Sequence, residues 1–253
     1  MIKYPVCEIL PEELEEVHVA TNAIGAGSYG QCILKRFLRL GIQVVEKLLH
    51  DSNLAHIYQE AYYRYMQLFS HRCVPHLLGV QVKTKPFSIV MEFLGYGIES
   101  LTIHKLLYDT KFENVLSTMT HGDWCRVCYD ITDALNHLHQ KEYLHCDLKT
   151  DNVLVCNKKG YLIDFGKVRK IGNLTAKKYS SFFPHIAPEV LNGHPASIAS
   201  DIYSLGKIIV AIGKKTKYNI LLSTGNIAAN PLARKRTTLL RILTDLVPLM
   251  TKN

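Results

Sequence analysis

The spacing of apolar and polar positions changes character near residue 95. Before it, the β-branched runs Ile42-Gln43-Val44-Val45 and Phe87-Ser88-Ile89-Val90-Met91 are bounded by turn-forming residues and predict strands. Between them Tyr62, Tyr63, Met66 and Phe69 recur near helical spacing, so Ala55 to Phe69 predicts one helix. Beyond Gly95 and Gly97 the helical period dominates. From Asp123 to Leu138, the residues Val127, Ile131, Ala134, Leu135 and Leu138 fall on one face, and Asp201 to Ile212 reads as a second, buried helix. The expected class is α+β, with a small β-rich lobe, a hinge at 92–96 and a larger α-rich lobe. A cleft between such lobes is where a small ligand normally binds.

Composition narrows this picture. The chain has 253 residues, 47% of them hydrophobic, enough for a packed core over one large domain or two lobes. The start, Met1 to Glu8, lacks the basic and apolar segments of a signal peptide. The run Ile208 to Ile212 is far shorter than the about 20 residues that span a bilayer, so no membrane association is expected. The net charge of +8 is read first as a solvated surface. Its clusters, Lys214-Lys215-Thr216-Lys217 and Arg234-Lys235-Arg236, are short and carry no interleaved aromatics, so nucleic acid is not an expected partner. Cys125 and Cys128 lie in a helical pattern with no second pair after them, which favours ordinary thiols over zinc and an intracellular, reducing location. No pattern in the chain speaks to oligomeric state.

Three segments carry candidate chemistry. Gly25-Ala26-Gly27-Ser28-Tyr29-Gly30 is either a generic glycine turn or a flap that lets backbone approach phosphates. A dinucleotide fingerprint would need a helix next, whereas Gln31-Cys32-Ile33-Leu34-Lys35 continues as strand and predicts a hairpin. Lys47 ends the strand Val44-Val45-Glu46-Lys47 and could reach phosphates if Glu60 on the following helix positions it. The third segment is the most specific. In His145-Cys146-Asp147-Leu148-Lys149-Thr150-Asp151-Asn152 one loop carries an acid able to take a hydroxyl proton, a lysine able to hold a transferring phosphoryl group and an amide able to bind a metal. Val153-Leu154-Val155, a turn at Asn157 to Gly160 and Tyr161-Leu162-Ile163 form a predicted hairpin ending in Asp164-Phe165-Gly166. That hairpin would bring Asn152 and Asp164 together as a hard-oxygen site suited to Mg²⁺.

These segments, with Ala187-Pro188-Glu189, Asp201-Ile202-Tyr203-Ser204-Leu205-Gly206 and Leu135-Asn136-His137-Leu138-His139, resemble the eukaryotic protein-kinase family over most of the chain. The resemblance implies a bilobal kinase fold over 18–250, with an N-lobe at 18–91 and a C-lobe at 97–250. It implies ATP and Mg²⁺ as cofactors and a protein substrate. Asp147 would be the catalytic base, Lys149 would touch the γ-phosphate, Asn152 and Asp164 would bind metal, and Lys47, oriented by Glu60, would hold the α/β-phosphates. Met91 falls at the gatekeeper position and Glu92-Phe93-Leu94 at the adenine-binding hinge. The nucleotide set would be Ile24, Gly25, Ala26, Gly27, Ser28, Tyr29, Gly30, Gln31, Cys32, Lys47, Met91, Glu92, Leu94 and Leu154. Lys149 favours Ser/Thr over tyrosine acceptors. The alternatives are a scaffolding pseudokinase, which would normally lose Lys47, Asp147 or Asp164, and a small-molecule kinase, which would lack Ala187-Pro188-Glu189.

The chain departs from the family at several points. Cys146 replaces the usual arginine that pairs with an activation-loop phosphate, and the usual phosphoacceptor position falls on Lys178, so activity is expected not to require that phosphate. Phe182 falls where Ser/Thr kinases usually carry the threonine that contacts the catalytic acid, and Arg64 where an apolar spine residue is usual. Val45 stands where a small alanine usually lines the adenine pocket. Lys167, Arg169, Lys170, Lys177 and Lys178 form a basic stretch, read either as a solvated loop or as a preference for acidic substrates. Asn230-Pro231-Leu232-Ala233-Arg234 resembles the late motif whose arginine pairs with Glu189, which assigns that pairing to Arg234.

Overall fold

The computed structural model describes residues 6–17, 23–27, 30–50, 70–172, 176 and 179–251. The predicted helix at 55–69, with Glu60 and Arg64, lies outside the described residues, as do Ser28, Tyr29, Lys177 and Lys178. The chain divides into two compact units, Met1–Ser100 and Leu101–Asn253.

The first unit is built on a six-stranded antiparallel sheet of β1 (Leu14–Glu16), β2 (Ala23–Gly27), β3 (Gly30–Phe37), β4 (Ile42–Leu49), β5 (Leu77–Gln81) and β6 (Ser88–Glu92). The order is β1-β3-β4-β6-β5, with β2 also paired to β3. The β-branched runs read from the sequence fall in β4 and β6, where Val44, Val45, Ile89 and Val90 are buried. Ile9, Phe37, Val44 and Val90 form a core cluster on one side of the sheet, with Leu14 and Leu78 against it. The predicted glycine hairpin is β2–β3. Gly30 has a reason unrelated to ligands: a Cβ there would meet the Leu48 carbonyl oxygen at 1.9 Å, so the approach of β3 to β4 requires glycine.

The second unit is mainly helical. It contains α1 (Ile103–Tyr108), α2 (Glu113–Ser117), α3 (His121–Gln140), β7 (Tyr143–Leu144), β8 (Val153–Cys156), β9 (Lys159–Leu162), β10 (Arg169–Lys170), α4 (Pro188–Leu191), α5 (Ile198–Lys215), α6 (Asn219–Ala228) and α7 (Leu239–Leu246). Helix α3 starts where Thr120 accepts from the Asp123 N–H and Asp123 accepts from the Thr120 N–H, a reciprocal cap. Its predicted apolar face is buried, with Val127, Ile131, Leu135 and Leu138 at 0–1% exposure, as is Trp124. Ser197 and Ser200 cap α5 in the same reciprocal way, and Leu205, Ile208, Ile209 and Ile212 fill its buried face.

The β8–β9 hairpin turns tighter than its sequence suggests. The turn is Asn157-Lys158 alone, both with positive φ (49° and 61°), and Lys159 and Gly160 belong to β9. Gly160 is required by packing, since a Cβ would meet the Val127 carbonyl oxygen at 2.8 Å. Its N–H donates to buried Asp130 at 3.3 Å, which ties the hairpin to α3. Among the described residues, no helix is long and apolar enough to cross a membrane.

Candidate active site

In the second unit, the loop 145–152 is held from below by Asp201. This carboxylate sits in the first turn of α5, 2% exposed, and accepts from the His145 N–H at 2.8 Å, the Cys146 N–H at 3.0 Å and His139 Nε2 at 2.9 Å. Two successive loop amides on one carboxylate fix a bend, and Cys146 adopts the left-handed region there (φ 62°). Burial works to raise the Asp201 carboxyl, but the hydrogen bond and charge of His139, with the His145 backbone N–H, hold it below its ordinary value. His145 is itself buried. Its Nδ1 accepts from the Asp147 N–H at 3.4 Å and its Nε2 donates to the Ile163 carbonyl at 3.3 Å. That pattern is a neutral imidazole, and burial accordingly lowers its pKa against the pull of Asp201, Asp164 and Asp147.

Asp147, 4% exposed, is the hub around which the other polar groups gather. Asn152 Nδ2 donates to its backbone carbonyl at 2.8 Å and approaches its Oδ2 at 3.4 Å. Lys149 Nζ stands 3.6 Å from Oδ2. The β8–β9 register pairs Val153 with Leu162, and the Ile163 N–H donates to the Asn152 carbonyl at 3.0 Å, so Ile163 lies opposite Asn152 and Asp164 is the next residue along the chain. Asp164 turns the chain in the left-handed region (φ 59°) into the buried Phe165 and Gly166. The structure therefore gathers Asp147, Lys149 and Asn152 and sets Asp164 just past the end of the hairpin that follows them.

Two further nitrogen groups at Asp147 were not foreseen there. Lys167 Nζ lies 2.8 Å from Oδ1, and His185 Nε2 lies 3.7 Å from the same oxygen. Burial opposes ionisation of Asp147, yet His185, Lys167 and Lys149 together hold its carboxyl well below the usual range. Phe182, assigned to the threonine position, is 76% exposed, and the residue of this segment that reaches Asp147 is His185. The basic stretch marked Lys167 in the sequence but gave no sign of its contact with Asp147; His185 had no sequence signal.

The Glu189 pairing also differs from expectation. Arg236, not Arg234, binds Glu189 with two hydrogen bonds, 2.6 and 2.7 Å. The 3₁₀ turn Ala233–Lys235 leaves Arg234 exposed, and the chain then extends at Arg236 (φ −73°, ψ 147°), which carries that side chain inward to 1% exposure. Cys146, where an arginine is usual in the family resembled, has its thiol pushed up to about 12 by burial and by Asp201.

In the first unit, strand register collects part of the nucleotide set. Lys47 pairs with Cys32 and Ile89, Cys32 pairs with Gly25, and Val45 pairs with Met91. Paired residues share a face, so Gly25, Cys32, Lys47, Val45 and Met91 lie on one side of the sheet. Lys47 is 7% exposed. Gln31 falls on the opposite side and is exposed, so it is not gathered with them. Ile24 sits at the bulge between Ala23 and Gly25. Ala26, Gly27 and Gly30 complete the hairpin backbone. Glu92 turns away to accept from the His76 N–H at 3.2 Å, and the buried Leu94 gives its carbonyl to Ser100 Oγ at 2.9 Å. In the second unit, Leu154 is buried in β8 and bridged to Thr102.

A protein-kinase-domain family profile matches residues 18–238 of the chain. The chain belongs to the protein kinase family. Among curated relatives, a probable serine/threonine-protein kinase of Dictyostelium discoideum is 29% identical over 205 residues, 79% of this chain and 32% of that protein. The mitogen-activated protein kinase kinase kinase dlk-1 of Caenorhabditis briggsae is 26% identical over 60% of this chain and 17% of its own length. The serine/threonine-protein kinase-transforming protein mos of Moloney murine sarcoma virus is 27% identical over 73% of this chain and 53% of its own length. The kinase chain thus spans between a sixth and about half of these relatives. The family brings the bilobal α+β class with it, and the β-rich and helix-rich units are of that kind.

Proposed function

We propose that the chain is an ATP-dependent protein kinase that transfers the γ-phosphoryl group to Ser or Thr hydroxyls of protein substrates. The observation that carries this reading is the grouping of Asp147, Lys149 and Asn152 on one anchored loop, with Asp164 just past the end of the adjoining hairpin. Asp147 takes the proton of the acceptor hydroxyl as its oxygen attacks the γ-phosphorus. The bond from that phosphorus to the β–γ bridging oxygen breaks and ADP leaves. Such transfer is mostly positioning and charge stabilisation. Lys149 holds the transferred group, and Lys47, on its shared sheet face with Gly25 and Met91, binds the α/β-phosphates. Glu60 is retained as its partner from the sequence alone.

Asn152 and Asp164 would hold Mg²⁺. Nδ2 of Asn152 is committed to Asp147, so Oδ1 is the atom of this amide that would ligate a cation. One amide and one carboxylate oxygen suit an ion that keeps waters and phosphates as its other ligands. When bound, the metal would neutralise charge developing on the phosphates.

The relatives named serine/threonine kinases support the Ser/Thr class, and Ala187-Pro188-Glu189, braced by Arg236, supports a protein rather than a small-molecule acceptor. The seven free cysteines suit a reducing, intracellular setting. The exposed basic residues after Gly166 favour acidic acceptors. With Cys146 unable to bind a loop phosphate, the kinase works without one.

The test is incubation of purified, unphosphorylated protein with ATP, Mg²⁺ and a peptide library, followed by phosphoamino-acid analysis. Phosphoserine and phosphothreonine are expected at once. Phosphotyrosine alone, or activity only after prior phosphorylation of the loop, would overturn the corresponding part of the reading.

A further inference from the structure

The roles given to Asp147, Lys149 and Asn152 leave a lysine and an imidazole unexplained, both beside Asp147 Oδ1. Lys167 Nζ is at 2.8 Å and His185 Nε2 at 3.7 Å, while Lys149 faces the other oxygen at 3.6 Å. Each is placed by its own element. Lys167 closes the 3₁₀ turn Phe165–Lys167, and the next residues are pinned where β10 pairs with β7 and the Ile171 N–H donates to the Glu142 carbonyl at 2.7 Å. His185 has its carbonyl on Ser204 Oγ of α5 at 2.6 Å and its ring edge-on to Phe183. The Lys167 and His185 side chains are 38% and 21% exposed, against 5% for Asp147, so they form a rim of nitrogen groups, with the Lys167 ammonium foremost, between the carboxylate and solvent.

A rim of this kind has a consequence for the acceptor. The hydroxyl must come within about 3 Å of an Asp147 oxygen to give up its proton. While Lys167 sits on Oδ1 it competes for that carboxylate. An acceptor bearing a second anion offers the ammonium an alternative partner, and the long lysine stem can swing to it without moving the backbone. An acceptor without one leaves the lysine where it is.

We propose that Lys167, with His185 beside it, is a specificity-determining residue that reads a carboxylate or phosphate flanking the target hydroxyl, exchanging Asp147 Oδ1 for that anion as the acceptor docks. The inference rests on the kinase reading and names the residue behind the acidic preference.

The experiment uses three serine peptides, identical except that the serine is flanked by Glu, by phosphothreonine or by Gln. Wild type, Lys167→Met, Lys167→Arg and His185→Gln proteins are compared by steady-state phosphotransfer and, separately, by fluorescence anisotropy of the labelled peptides. Melting temperature checks that each variant is folded. Wild type is expected to favour the anionic peptides at least about tenfold over the Gln peptide, through KM and binding rather than kcat. Lys167→Met collapses that ratio, Lys167→Arg keeps it, and His185→Gln reduces it. Equal preference for Glu and phosphothreonine identifies charge as the feature read; preference for phosphothreonine alone identifies a phosphate reader. A wild type with no preference, or a preference that survives Lys167→Met, overturns the proposal. If no peptide is phosphorylated but binding discriminates and depends on Lys167, the catalytic reading fails while the anion site stands.

Discussion

Asp201 concentrates the physics of the site at a single residue. It is almost fully buried and ionised, which is tolerable because His139 and two loop amides satisfy it. Its replacement by Asn keeps the volume but removes an acceptor, leaving a buried N–H of His145 or Cys146 without a partner at a cost of about 1–3 kcal/mol. The pH dependence follows from the lowered carboxyl. A depressed folded-state pKa adds stability that is complete above the unfolded carboxylate value, about 4, and lost as pH falls through the lower folded value. Urea unfolding of wild type and Asp201→Asn should therefore differ most near pH 6–7 and converge below about pH 4. A gap independent of pH would show that the Asp201 charge is not what holds the loop.

At the scale of elements, glycines separate packing from ligand contact. Gly30 is dictated by the approach of β3 to Leu48, whereas a Cβ at Gly25 meets nothing within 4 Å. Gly30→Ala should lower stability by about 1–3 kcal/mol in denaturant titration. Gly25→Ala should stay within about 0.5 kcal/mol, so any loss it causes in nucleotide affinity reports the ligand alone. Similar stability losses at both positions would contradict this division. The same contrast explains how far the elements were legible from sequence. Strands β4 and β6 were readable as continuous β-branched runs, which the structure buries on both faces, and helices α3 and α5 from apolar positions at helical spacing. The hairpin turn was overestimated because Gly160 looks like a turn residue, while its role, avoiding Val127, lies on another element. The loop 145–152 was readable because its chemistry is packed into eight consecutive residues. Lys167 and His185 were not, since they reach Asp147 from positions 20 and 38 residues away along the chain.

On the scale of the whole molecule, long-range pairs decide what local motifs cannot. Arg236 joins Glu189, the Ala199 and Asn230 carbonyls and the Tyr203 ring. The motif spacing pointed to Arg234, but a short 3₁₀ turn shifts the inward position by two residues. Arg236→Ala should cost about 3–5 kcal/mol by stranding a half-buried carboxylate, and Arg234→Ala should change stability by less than about 0.5 kcal/mol. The reverse order in thermal melts would return the pairing to Arg234. The two units hold separate parts of the proposed chemistry, a sheet face with Lys47 in one and the Asp147 group in the other. The proposed transfer is tested most directly by comparing wild type with Asp147→Asn for transfer of labelled phosphate from ATP to protein and for nucleotide binding. The substitution should reduce transfer about 100-fold or more and leave nucleotide affinity within about threefold. Equal transfer by both proteins, or none by either, would contradict the assignment of Asp147 as the base of an active kinase.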